Sequence, residues 1–154
     1  MRVSRLFRLI VSIMLLATIS VAREKRIERS DLPAAVEITV SAQSQGATIR
    51  GFSEEKENGQ TYYEAELSVN GHRRDLLMDT TGAIVEVEEQ VALESLPAAV
   101  KEGLETKAGK GKILKVESIT KHDKLVAYEA QVFTGEKRAE VQVDPDGRPL
   151  NHEE

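Results

Sequence analysis

Leu32, Ala35, Val36 and Val40 recur at the spacing that lines apolar side chains along one face of a helix, and Leu96, Ala99, Val100 and Leu104 do the same further on. Each run opens with a proline, harmless in a first turn whose N–H groups have no partner, and Ser30 or Asp31, and then Ser95, stand where an N-cap belongs. Gly46, and later Gly109 with Gly111, suit the ends of these helices. After each helix the period falls to two. Strand-like stretches cover residues 47–52 and 113–119. A cleaner alternation follows, with Tyr63, Ala65, Leu67 and Val69 facing one way and Tyr62, Glu64, Glu66 and Ser68 the other. Asn70-Gly71 is a two-residue hairpin signal. Near the end, Ala139, Val141 and Val143 alternate with Arg138, Glu140 and Gln142.

The two halves match at more than their helices. Leu32-Pro33-Ala34-Ala35-Val36 returns as Leu96-Pro97-Ala98-Ala99-Val100, 64 positions later. Tyr63-Glu64-Ala65 returns as Tyr128-Glu129-Ala130, 65 positions later, so one residue has been inserted in between. Asp79-Thr80-Thr81-Gly82 and Asp144-Pro145-Asp146-Gly147 keep the offset of 65 at both Asp and Gly, and both fit a type I turn. With the glycine turns at Asn70-Gly71 and Thr134-Gly135, four landmarks in one order at nearly constant offset indicate a duplication of a unit of about 60 residues. A last strand over 83–88 closes the first copy, whereas Pro149 stands where the first copy has Ile84, so its counterpart over 148–150 is stunted.

Each unit is therefore a helix followed by an antiparallel meander, and only that helix can cover the apolar face of its strands. The expected fold is α+β: two tandem repeats, residues 31–90 and 91–154, with both helices on one face of a joined sheet and the other face open. Residues 1–22 read as a signal peptide: Arg2, Arg5 and Arg8, then an uncharged run from Leu9, then Ser20-Val21-Ala22 as the cleavage signal. Residues 23–30 read as a linker. The chain is expected to be periplasmic or secreted, and membrane-attached only if the leader is not cut.

Cleavage alters the charge. The leader carries three arginines and no acid, leaving 18 basic residues (21 less 3) against 26 acidic, a net of −8. That average repels nucleic acid, and no basic stripe opposes it. There is no cysteine, so thiol chemistry and disulfides are excluded and the fold stands on packing.

The Leu-Pro-x-x-Val helix start, the Tyr-Glu strand and the Asp-x-x-Gly turn behind a leader resemble the PepSY-like family of exported bacterial domains. The tandem arrangement is similar to the secreted beta-lactamase inhibitor fold. The resemblance spans about Asp31 to Leu150 and rests on structural motifs. It implies a protein that binds or restrains a partner in the cell envelope, peptidases included.

Catalytic signatures are lacking in the sequence. His72, His122 and His152 are scattered, no serine sits in a G-x-S-x-G elbow, and Gly109-Lys110-Gly111-Lys112 lacks the spacing of a phosphate loop. None of the histidines sits on a helix with a second ligand at metal-binding spacing, and Asp144-x-Asp146-Gly147 reaches its glycine too early for a calcium loop. No enzyme activity, cofactor or metal is expected, and the carboxylates are expected to form a solvated face without a pocket. The outward positions carry the interest: Tyr62, Leu77 and Phe133 among Glu64, Glu66, Glu129, Gln131 and Glu140 form the candidate partner-binding surface. The expected function is a non-enzymatic module binding an exported protein or peptide. The competing reading is an envelope sensor or accessory domain for a small ligand, ion or peptide.

Overall fold

The computed structural model describes residues 23–150, so the leader and the last four residues lie outside them. Eight strands form one sheet in chain order, each antiparallel to the next: β1 (Arg23–Ile27), β2 (Thr48–Glu57), β3 (Gln60–Val69), β4 (His72–Asp79), β5 (Ile84–Val91), β6 (Lys112–Lys121), β7 (Lys124–Phe133) and β8 (Arg138–Val143). Helix α1 (Ala34–Gln43) precedes β2, and α2 (Ala98–Ala108) precedes β6. The architecture is the α+β arrangement read from the sequence, with the two meanders joined where β5 pairs with β6.

Each helix covers its own repeat. Val36 and Val40 of α1 pack with Phe52, Tyr63, Ala65, Leu67, Leu76 and Met78. Val100, Leu104 and Ala108 of α2 pack with Val116, Ala130, Val132 and Val143. β5 stitches the two clusters: Val87 joins the first and Val91, four residues on and therefore on the same sheet face, joins the second. Each fully buried Val or Leu contributes roughly 1.5–3 kcal/mol relative to exposure, so neither helix is dispensable.

The residue inserted between the repeats can be located. Both copies carry a bulge early in the first strand after the helix, at Arg50 and at Leu114, 64 positions apart. β7 carries a second bulge, at Val126, where the register shifts because Ile119 faces Ala127 and Thr120 faces Leu125. The matching hairpin of the first repeat has no such shift. Val126 is the extra residue, absorbed without turning the strand over.

Two expectations are corrected. Residues 23–30 are no linker: β1 pairs with β2 from Arg23 to Ile27, and Arg29–Asp31 forms a 3-10 turn. The helices begin at Ala34 and Ala98 with Pro33 and Pro97 as N-caps, whose carbonyls accept the first helical bonds from Glu37 and Lys101. The polar residues assigned as caps serve the 3-10 turns instead. Asp31 Oδ2 accepts the Glu28 N–H at 3.1 Å, and the Ser95 hydroxyl donates to the Ala92 carbonyl at 2.7 Å. In the second repeat the expected stunted strand is a single bridge between Val143 and Pro149.

Candidate functional site

Alternation along each strand puts the side chains between the core positions on the face away from the helices, and the register assembles them into rows across the sheet. One row runs Ser53, Glu64, Leu77, Glu86, Lys121. The next runs Glu66, Asp75, Glu88, Ile119, Ala127. A third runs Gln90, Glu117, Glu129, Gln142.

The sequence-derived candidates occupy this face in two groups. Tyr62, Glu64, Glu66 and Leu77 lie on β3 and β4. Glu129, Gln131, Phe133 and Glu140 lie on β7 and β8, where Gln131 pairs with Glu140 and Phe133 with Arg138. β5 and β6 separate the groups, and the side chains they contribute between them, Glu86, Glu88, Glu117, Ile119 and Lys121, were missed. Phe133 is 38% exposed. Glu66 is clasped by Arg26 at 3.2 Å and Arg73 at 3.5 Å, so it is a tethering group.

The expected solvated face without a pocket is not what forms. A pocket of about 620 Å³ opens at the end of β3–β6, lined among others by Tyr62, Leu77, Val85, Glu86, Lys121 and His122. A smaller one of about 100 Å³ lies between Glu55, Glu64, Asp75, Leu77, Glu86 and Glu88. Ser53, Asp75, Glu117, Ile119, Ala127 and Gln142 are all buried although no helix lies over them, since they are covered by one another and by the long side chains alongside.

Burial without enough counter-charge shifts the carboxyls. Desolvation pushes Glu64 up to about 7; the Ser53 hydroxyl, which donates to Glu64 Oε2 at 2.8 Å, opposes the shift, and the charges of Asp75, Glu55 and Glu66 add to it. Glu88 is held well above the usual carboxylate range by desolvation and by the negative charges of Glu117, Glu86, Glu129 and Asp75. Asp75, Glu129 and Glu55 are raised too, desolvation leading in each case. Positive groups reach only part of the cluster: Arg73 Nε sits 2.5 Å from Asp75 Oδ2, Lys115 Nζ 2.6 Å from Glu117 Oε2 and Lys121 Nζ 3.6 Å from Glu86. Glu88, in the middle, has neither a hydrogen bond nor an ion pair among the described residues.

Neither a protein-family model nor a curated protein matches the sequence. Solved structures do match in shape. A BLIP-like protein from Bacteroides fragilis superposes with a TM-score of 0.58 at 17% identity, covering 78% of this chain and 84% of the other. The fold is BLIP-like. A DUF2874 family protein from Bacteroides ovatus gives a TM-score of 0.60 at 18% identity over 78% of this chain and 85% of that one. A protein from Bacteroides eggerthii, provisionally assigned to the periplasm, gives 0.63 at 18% identity over 78% and 86%. At these identities the likeness is one of fold. Among the described residues no helix is long and apolar enough to cross a membrane.

Proposed function

We propose that this protein is an exported, non-enzymatic binding module of PepSY-like type that docks a cell-envelope protein on its open sheet face and restrains it, a peptidase being a fitting partner. The observation that carries the reading is the uncovered face, with Tyr62 and Leu77 set in a pocket of about 620 Å³ and Phe133 exposed at the far end. Aromatic and aliphatic anchors rimmed by charge are how a protein-docking surface is built. Export rests on the basic and apolar leader, and the kinship of fold with a BLIP-like protein supports a role in binding. The Ser53 hydroxyl that donates to Glu64 is fully buried, so it steadies that carboxyl and is beyond reach of a substrate.

The test is capture from the envelope fraction of the protein's own host, comparing wild type with Tyr62→Ala and Phe133→Ala. Specific capture that either substitution weakens, at unchanged melting temperature, supports the reading. Capture indifferent to both substitutions, or loss of stability in place of binding, refutes it.

A second reading, an accessory domain that senses an ion or small ligand, draws on a different observation: the carboxylate cluster under Glu88. Ligand-dependent stabilisation would separate it from the first.

A further inference from the structure

We infer that Asp75, Glu88 and Glu117 form a binding site for a hard divalent cation, calcium, at the centre of the open sheet face. The site stands whether or not a protein docks there. The three residues come from three adjacent strands, and one carboxylate oxygen from each lies within 4.8 Å of the other two. Asp75 and Glu117 are 5% and 4% exposed, so their charges are not dispersed by bulk water.

Proximity of acids is common and by itself means little. What distinguishes this cluster is how its oxygens are used. Arg73 holds Asp75 Oδ2 and Lys115 holds Glu117 Oε2, which fixes both carboxylates and leaves each with a second oxygen. Asp75 Oδ1 is buried and has no hydrogen-bond partner, and Asp75 and Glu88 both line the small acidic pocket. A buried acceptor left without a partner costs about 1–3 kcal/mol, and a cation beside it removes that cost. Glu88 lies directly across the β4–β5 ladder from Asp75, and Glu117 lies directly across the β6–β7 ladder from Glu129. Like charges facing each other in this way are destabilising unless something positive sits between them.

The donors select the ion. All are carboxylate oxygens, with neither imidazole nor thiolate, which points to calcium or magnesium over zinc or copper. Oxygens that all lie within 4.8 Å of one another are close enough to share one such ion, and calcium is favoured because it accepts the irregular geometry that three strand-borne carboxylates offer, where magnesium demands a near-ideal octahedron. Three carboxylates from separate strands, with water completing the shell, correspond to an affinity on the order of 10⁻⁴–10⁻³ M, the range of extracellular modules. The sequence suggested no metal because the ligands share no local spacing.

The experiment is a thermal-unfolding and calorimetric titration of the EDTA-treated protein with calcium chloride and, separately, magnesium chloride. Calcium in the low millimolar range is expected to raise the melting temperature by about 2–6 °C, with magnesium weaker. Glu88→Gln keeps the shape of the side chain and removes its charge. It is expected to fold at least as stably as wild type in EDTA and to lower calcium affinity tenfold or more. Glu140→Gln, an exposed carboxylate on the same face, is expected to leave the response intact. Absence of heat and of any melting shift with either ion overturns the site, as does a calcium response that survives in Glu88→Gln. Equal responses to the two ions overturn the choice of calcium. None of these outcomes bears on capture of a partner through Tyr62 or Phe133, so the two proposals fail separately.

Discussion

Gly147 lies so close to the first turn of α2 that a β-carbon on it would stand 2.1 Å from the carbonyl oxygen of Ala99. Gly82 has the same relation to Ala35, at 2.4 Å. Both adopt a left-handed backbone, φ +81° and +80°, at the end of an Asp-x-x-Gly turn closed by a bond from the glycine N–H to the aspartate carbonyl. In the first repeat the Thr39 hydroxyl also donates to the Gly82 carbonyl at 2.7 Å. In the second, Gly103 stands at the position of Thr39, and the Gly147 carbonyl presses into the space it leaves, 2.1 Å from where a β-carbon would be. The two most recognisable motifs of each repeat, Leu-Pro-Ala-Ala-Val and Asp-x-x-Gly, are thus the two sides of one contact.

Gly82→Ala and Gly147→Ala should each cost more than the left-handed conformation alone. Gly59 provides the reference, with φ +80° and open space around it. Gly59→Ala is expected to lose about 1 kcal/mol, and the two turn glycines roughly 2–4 kcal/mol each, in urea unfolding. Equal losses at all three positions would remove the close packing from the explanation.

Deleting Val126 should be tolerated. It erases a bulge that the first repeat lacks and leaves Tyr128, Ala130 and Val132 on the core face. The expected cost is about 1 kcal/mol or less, read from the melting temperature. Deleting Ala130 instead shifts half the strand by one residue, sends apolar side chains outward, and should prevent folding.

Glu64 gives the stability a pH dependence. Its carboxyl, raised to about 7, faces Ser53 and Glu55 on β2, Asp75 and Leu77 on β4 and Glu66 on its own strand. The folded protein binds this proton more tightly than the unfolded chain does. The contribution is therefore complete below the ordinary glutamate range and is lost as pH rises through about 7. In EDTA, stability is expected to fall between pH 5 and pH 8 as an order-of-magnitude window, and Glu64→Gln to flatten that slope. A slope of opposite sign would contradict the placement of Glu64 in a desolvated site.

Lys115→Met leaves Glu117 buried without its ammonium partner, and should destabilise by roughly 1–3 kcal/mol once the partial exposure of Lys115 is discounted. The double variant Lys115→Met with Glu117→Gln should recover most of that loss in denaturant titrations. Failure to recover would mean that Lys115 acts through packing.

The fold was readable because its cause is local. Helical spacing at Val36 and Val40, alternation from Tyr63 to Leu67, and the Asp-x-x-Gly turns each declare themselves within a few residues, and duplication displays them twice. β1 was unreadable for the opposite reason. Arg-Glu-Lys-Arg has no apolar alternation, and it is a strand because β2 offers an edge to pair with and Ile27 a place in the first core. The acidic site was hidden more deeply. Glu64 and Glu129 were legible as outward residues, yet Asp75, Glu88 and Glu117 become neighbours only through two strand registers that no short-range pattern encodes.

The borders of the sheet complete the picture. β1 begins with four charged residues in succession, and β8 is short and ends near a proline whose nitrogen can donate nothing. Such margins resist extension by another strand. A visiting chain that sought to lengthen the ribbon would meet ionised side chains on one flank and a truncated ladder on the other. For the proposed partner, this leaves the broad carboxylate-lined plane, where selectivity would be written in side chains, in place of backbone zippering.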